Sequence, residues 1–289
     1  MIPIRIPLLL LAGLLAACSV GTSEKTLYFS AIPDQNTTEL REKFGRIADY
    51  LSKELGIPVT YRPARDYGAS VEMFRNGDIQ LAWFGGLTGV QARQAVPGAR
   101  AIAQGKADPK YYSYFIAHKD TGLERSDAFP TRIADVKFAF GSESSTSGRL
   151  MPEFFIRRNS GKGPKEFFDQ QYIFSRSHDQ TAELVESGQV QAGVLNHKVY
   201  ERRIESGKTD PTVCKIIWKT PFYADYNFTA HPDLETMFGA GFIEKLQNAL
   251  IDMTDMELLS AFPRDALILA KNEDFDGIVR VARELDMLR

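Results

Sequence analysis

An α/β fold is predicted by short apolar runs at 27–32, 59–61, 79–84, 99–104 and 113–118, by helically spaced apolar residues between the first of them, and by further runs of the same kind beyond residue 137. Strands alternating with helices imply parallel sheet, with ligands gathering beyond the carboxyl ends of the strands. The chain has 289 residues, 44% of them hydrophobic, enough for a packed core in one large or two medium domains. A formal net charge of -2 gives no support for nucleic acid as a partner.

The first helix is predicted from Asn36 with Glu39 three residues on, an N-terminal capping signature. Leu40, Phe44, Ile47, Leu51 and Leu55 then repeat at helical spacing until Gly56 and Pro58. Asp66-Tyr67-Gly68-Ala69-Ser70 opens a second helix that ends near Asn76-Gly77. Phe84-Gly85-Gly86 is a strand end, where glycine permits either a sharp turn or a helix start brought close to a ligand. Tyr111 and Tyr112 stand at a loop-to-strand junction, one of them facing a cleft or both belonging to the core. In the second half, strands are predicted at 138–140, 172–174, 191–195 and 213–219, and 220–226 reads as an extended aromatic crossing segment. From Leu234 onward the pattern is mainly helical.

The stretch richest in chemistry is Phe138-Ala139-Phe140-Gly141-Ser142-Glu143-Ser144-Ser145-Thr146-Ser147-Gly148, leading into a helix with Pro152 in its first turn. A helix start carries unpaired N–H groups and partial positive charge, so hydroxyls there suit an anion. One Ser or Thr could equally serve only as the cap. A cap needs one hydroxyl, and residues 142–147 hold five.

At the N-terminus Arg5 precedes an apolar run over 6–17, too short to span a bilayer and of signal-peptide length. It ends in Leu15-Ala16-Ala17-Cys18, which resembles a bacterial lipobox with Cys18 as the lipidated first residue of the mature protein; an ordinary secretory signal is the alternative. The other cysteine, Cys214, reads as a buried inert thiol. Two cysteines and four histidines leave no zinc-type spacing, so no metal or other cofactor is expected.

Taken together, Asp66-Tyr67, Ala82-Trp83-Phe84-Gly85-Gly86-Leu87, Tyr111-Tyr112-Ser113, Ser145-Thr146-Ser147-Gly148 with Leu150 and Pro152, His178-Asp179 and Trp218-Lys219-Thr220-Pro221 resemble the phosphonate/phosphite-type periplasmic substrate-binding proteins of ABC importers, including a selenate branch. The resemblance runs through the whole mature chain in order. It implies a two-lobed, type II, Venus-flytrap architecture, each lobe a mixed sheet flanked by helices, with a two-stranded hinge. On that basis 1–17 is a lipoprotein signal peptide and 18–25 a tether; 26–118 with 225–289 form lobe I, and 119–224 form lobe II.

The resemblance further implies an oxyanion held by Ser145, Thr146 and Ser147, by Tyr67 and Tyr111 and by His178, with Gly85 and Asp225 beside it. A protonated oxyanion needs one acceptor, for which Asp179, Asp225 and His178 are the candidates. Binders of aminoalkyl phosphonates carry an acid where this chain has Lys198, which disfavours an ammonium-bearing ligand; Asp225 matches a second such acid or is structural. The expectation is a monomeric, non-enzymatic, lipid-anchored receptor of the periplasm or cell envelope, delivering phosphonate, phosphite, phosphate or selenate to a permease. Rival readings are a receptor for an organic sulfonate or amino acid, using Arg149 or Arg176, and an enzyme or sensor on the same fold. No nucleophile elbow or phosphate loop of the Gly-Lys-Ser type supports an enzyme.

Overall fold

The computed structural model describes residues 25–288. The signal-peptide and lipidation expectations, Cys18 included, lie outside the described residues. The strands are β1 (Leu27–Ala31), β2 (Val59–Tyr61), β3 (Leu81–Phe84), β4 (Arg100–Gly105), β5 (Ser113–His118), β6 (Phe138–Phe140), β7 (Ile173–Phe174), β8 (Ala192–Asn196), β9 (Cys214–Lys219), β10 (Asn227–Ala230) and β11 (Leu267–Leu269). They form two sheets, ordered β11-β4-β10-β3-β1-β2 and β7-β6-β8-β5-β9.

Both sheets are mixed, as the resemblance implied and simple strand-helix alternation did not. β1 is parallel to β2 and β3, but β10 is antiparallel to β3 and β4, and β11 to β4. In the second sheet β6 is parallel to β7 and β8, while β5 is antiparallel to β8 and β9. Parallel neighbours need a crossover within one lobe. β5 and β10 instead arrive from the other lobe, which frees them to run the opposite way. The lobe boundary expected at residue 118 is thereby corrected: β5 pairs with β8 and β9 and belongs to the second sheet. The C-terminal part likewise contains β11, a strand within the region read as mainly helical.

The chain crosses between sheets twice, at 106–112 and 220–226, and the two segments pair at Tyr111 and Tyr223. Tyr111 N–H donates to the Tyr223 carbonyl at 2.8 Å and Tyr223 N–H to the Tyr111 carbonyl at 3.0 Å. Beside them a buried ion pair ties the crossing to the C-terminal part: Arg264 Nη2 lies 2.5 Å from Asp108 Oδ1, and Asp108 Oδ2 accepts the Gly105 N–H at 2.7 Å. A Cβ on Gly105 would sit 2.4 Å from Asp108 Oδ2 and 2.6 Å from the Arg264 side chain, so only glycine fits.

The helices that build the strand ends are α1 (Thr37–Leu55), α2 (Tyr67–Arg75), α3 (Gly86–Ala95), α4 (Met151–Ser160), α5 (Pro164–Phe167), α6 (His178–Glu186) and α7 (His197–Glu205). In α1, Asn36 Oδ1 accepts from Thr38 N–H and Glu39 N–H, and Gly56 ends the helix in the left-handed region, as its sequence signals predict. Its buried face is Leu40, Phe44, Ile47, Ala48, Leu51 and Leu55. Cys214 is buried in β9, and burial pushes its thiol up to about 12. Among the described residues no helix is long and apolar enough to cross a membrane.

Candidate functional site

The apolar β6 delivers the chain to a turn closed by Gly141 N–H on the Gly148 carbonyl at 2.8 Å. Residues 146–150 then wind as a π turn directly into α4, a rare, widened geometry that is frequent at functional sites. Ser145 Oγ accepts the Gly148 N–H at 2.9 Å, so this serine is the cap. Accepting leaves its own hydroxyl proton free to donate. Capping and anion donation are therefore compatible, and the surplus hydroxyls of Thr146 and Ser147 are buried alongside. From the start of β5, two strands away in the sheet, Ser113 Oγ donates to the Ser147 carbonyl at 2.6 Å and lies 2.5 Å from Tyr223 Oη.

The other lobe meets this turn with the start of α3. Leu87 N–H donates to Thr146 Oγ1 and Gly86 N–H to Asp225 Oδ1, both at 2.9 Å. Gly85 makes this approach possible: a Cβ there would lie 3.2 Å from Thr146 Oγ1 and 3.3 Å from Asp225 Oδ1. Asp66 caps α2 by accepting Ala69 N–H at 2.7 Å, which sets Tyr67 in the first turn, turned inward. Its hydroxyl lies beside that of Ser145 without reaching hydrogen-bond geometry. Tyr67 Oη, Tyr111 Oη and Asp225 Oδ2 are all buried with no hydrogen-bond partner in the protein.

His178 opens α6 and joins the lobes through its main chain, its N–H donating to the Asp34 carbonyl at 3.0 Å. Its Nδ1 accepts Asn196 N–H at 3.4 Å, and its Nε2 lies 3.5 Å from Ser147 Oγ. With Nδ1 accepting, the neutral ring carries its proton on Nε2. Burial holds the ring neutral by drawing its pKa down to about 4, against the nearby charge of Asp179. All eight candidate ligand residues, Tyr67, Gly85, Tyr111, Ser145, Thr146, Ser147, His178 and Asp225, thus fall in one buried cluster between the sheets.

Two buried carboxyls flank the hydroxyls. Burial pushes Asp225 up to about 7, partly offset by the Gly86 N–H and the Thr146 and Ser147 hydroxyls. Burial pushes Asp34 up to about 6, offset chiefly by the Tyr226 hydroxyl. Asp34 went unnoticed in the sequence, as did the relay it anchors: Asn196 Nδ2 donates to Tyr226 Oη at 2.9 Å, and Tyr226 donates to Asp34 Oδ2 at 2.7 Å. A signal existed, since Asp34 and Asn196 both sit at the carboxyl end of a strand, where ligands are expected.

Other candidates are placed elsewhere. Asp179 is bound at the rim by Arg203 at 2.9 Å and by the Asn36 N–H at 3.0 Å, which removes it as a ligand acceptor. Arg149 is paired with Glu153 at 2.6 Å and lies over the rings of Phe140 and Phe174, while Arg176 is exposed. Lys198 pairs weakly with Glu201 at 3.7 Å and lines a narrow gap with Asp34, Tyr111, Asn196, Tyr226 and Arg264.

Residues 29–284 match the family described as ABC transporter, phosphonate, periplasmic substrate-binding protein. The chain is 36% identical over 277 residues to the probable ABC transporter phosphite binding protein PhnD1 of Prochlorococcus marinus (strain MIT 9301), covering 93% of each chain. It is 28% identical to the phosphate-import protein PhnD of Mycolicibacterium smegmatis, over 77% of this chain and 70% of that one. The structure of the Prochlorococcus protein in complex with methylphosphonate superposes with a TM-score of 0.85 at 36% identity, covering 91% of this chain and 98% of that one. Two mixed sheets joined by a paired crossing, a buried hydroxyl turn between them and these three likenesses converge on one conclusion: the chain belongs to the phosphonate family of ABC-transporter periplasmic substrate-binding proteins.

Proposed function

We propose that this protein captures a small tetrahedral oxyanion of the phosphonate, phosphite or phosphate class between its lobes and presents it to a membrane permease. The observation that carries the reading is the set of buried oxygens without partners, Tyr67 Oη, Tyr111 Oη and Asp225 Oδ2, gathered around the 145–147 turn. Ser145, Thr146 and Ser147 donate from one lobe, Tyr67 from the other, Tyr111 from the crossing, and neutral His178 through Nε2. Hydrogen bonds to a charged acceptor contribute about 1.5–3 kcal/mol each. Several of them, less the costs of desolvation and closure, reach the roughly -8 kcal/mol of a micromolar complex. Ligand contacts shared by both lobes stabilise the closed form over the open one, which is how the permease distinguishes loaded from empty receptor.

The names of the phosphite- and phosphate-binding relatives support this ligand class, and Lys198 and Arg264 beside the site argue against a ligand carrying an ammonium. The protein acts as a monomer and performs no covalent chemistry. Cys18 carries the lipid that holds it at the cell envelope, and mass analysis of the mature N-terminus tests that assignment.

The deciding experiment is a thermal-shift panel of phosphate, phosphite, methylphosphonate, aminoethylphosphonate, sulfate, selenate and selenite. At least one phosphorus oxyanion is expected to raise the melting temperature, and the double variant Ser145→Ala, Thr146→Ala to lose the shift while remaining folded. A panel without response overturns the proposal.

A further inference from the structure

Resting on the capture reading above, we infer that Asp34, Tyr226, Asn196 and the main chain of His178 form a latch that holds the two lobes together beside the oxyanion site, and so sets how long a bound ligand is kept. The four residues make a closed circuit. Tyr226 Oη donates to Asp34 Oδ2 at 2.7 Å and Asn196 Nδ2 to Tyr226 Oη at 2.9 Å, while Asn196 N–H donates to His178 Nδ1 at 3.4 Å and His178 N–H to the Asp34 carbonyl at 3.0 Å. The bonds Tyr226 to Asp34 and Asn196 to His178 stay within a lobe; the other two cross between lobes. Every residue of the circuit is at most 4% exposed.

Each half is held in place by its own lobe. On the first, the Tyr226 ring stacks on Trp83 of β3 with centroids 5.5 Å apart, and Asp34 is fixed just beyond β1 by its N–H on the Ile32 carbonyl at 2.9 Å. On the second, Asn196 Oδ1 caps α7 by accepting Val199 N–H at 2.7 Å, which leaves the amide Nδ2 as the group it offers across the cleft. His178 N–H belongs to the first turn of α6 and has no partner within its helix, so the opposite lobe supplies one.

All four bonds have protein atoms at both ends. His178 commits only its main chain and Nδ1, keeping Nε2 for the anion. The latch therefore forms without help from the ligand, yet an anion on Nε2 grips the same residue that the latch ties to the first lobe. Opening about the crossing segments breaks both cross-lobe bonds at once, and water must take up a helix N–H and a side-chain amide. Contacts made only in the closed form slow opening, while a ligand entering an open cleft does not meet them.

The test compares the wild type with Tyr226→Phe, Asn196→Asp and the double variant. Phenylalanine keeps the ring on Trp83 and removes one hydroxyl; aspartate keeps an oxygen for the α7 cap and loses the amide donor. Stopped-flow rates are measured with methylphosphonate and phosphite at pH 7.5, and small-angle X-ray scattering on the ligand-free proteins. Dissociation from either single variant is expected to be at least about tenfold faster, with association within about threefold of wild type. Because one circuit is being cut, the double variant should lie within about twofold of the larger single effect. The ligand-free variants should scatter as more extended than ligand-free wild type.

Unchanged dissociation, a loss carried by association instead, or single losses that multiply in the double variant each overturns the latch and leaves the oxyanion reading intact. Failure of both anions to bind the wild type overturns that reading for these ligands, and the scattering then decides the latch by itself: identical ligand-free profiles for wild type and both single variants overturn it.

Discussion

The two lobes touch in two places built from different chemistry. In the inner zone the contacts are buried and mostly uncharged: Leu87 N–H on Thr146, Gly86 N–H on Asp225, and the Asn196, Tyr226, Asp34 relay. At the rim the contacts are ionic; the Lys208 pair is wet, whereas Arg203 and Asp179 are largely shielded. Lys208 meets Glu39 at 2.8 Å with side chains 54% and 42% exposed, and Arg203 holds Asp179 and Glu183 against the entry to α1. A bond out of water is expensive to leave unmade, whereas exposed ion pairs contribute little and are screened by salt. The inner zone therefore sets which ligand is accepted, and the rim only trims how readily the lobes meet.

The largest effect should come from the one full charge pair placed on the inner side. Arg264→Met leaves Asp108 buried without its partner, and breaking such a pair typically costs about 3–5 kcal/mol. Denaturant unfolding is expected to show that loss. A cost below about 1 kcal/mol would mean that water reaches the crossing and that the inner zone is not dry.

Next in size is the acid of the relay. Asp34 is raised from 3.8 to about 6, so the folded protein keeps a proton that the unfolded chain gives up. Its favourable contribution is present below about pH 4 and is lost as pH rises through 6. His178 works in the other direction: with its pKa drawn from 6.5 to about 4, stability falls as pH drops from 6.5 toward 4. Asp34→Asn keeps an oxygen for Tyr226 and removes the first of these opposed slopes. We expect the variant to be more stable than wild type at pH 7.5 by on the order of 2 kcal/mol. Between pH 4 and 6 its stability should climb with pH more steeply than that of wild type. Parallel wild-type and variant profiles would show that Asp34 is solvated.

Much of the inner zone was legible because it is built from local signals. Apolar runs marked β3 and β6, Gly85 marked the close approach, and the Ser-Thr-Ser run announced its own excess of hydroxyls. What escaped the sequence is what depends on distant partners. Asp108 and Arg264 lie 156 positions apart, and nothing near either residue tells of the other. β10 and β11 were missed for the same reason: Asn-Phe-Thr-Ala and Leu-Ile-Leu are too short to mark a strand, and only their distant partners in the sheet fix their place and direction. Asp34 is a different case. Its place just beyond the end of β1 was a signal, but Pro33 and Gln35 beside it look like a loop, and the burial of the carboxyl against Tyr226 is what sets it apart.

Gly85→Ala tests closeness of approach without altering charge. The new methyl would press on Thr146 Oγ1 and Asp225 Oδ1 together, and both atoms are held by α3 amides. An affinity loss of about tenfold for the preferred oxyanion is expected, about 1.4 kcal/mol, with little change in the melting temperature of the free protein. Affinity within twofold of wild type would show that the two lobes need not come this near.

The smallest effect belongs to the rim. Lys208→Ala removes the ion pair with Glu39, and an exposed pair of this kind contributes about 0.2–1 kcal/mol. Ligand affinity should weaken less than about threefold at low salt, and the difference should vanish near 0.5 M salt, where the screening length is well below the roughly 10 Å of 0.1 M. The comparison is sharpest here because the rim pair, at 2.8 Å, is as short as the Leu87–Thr146 and Gly86–Asp225 contacts at 2.9 Å and carries full charges besides, so its exposure is what makes it weak. A tenfold loss that persists at high salt would place closure under the control of the rim, and the division between a selecting interior and a permissive edge would have to be abandoned.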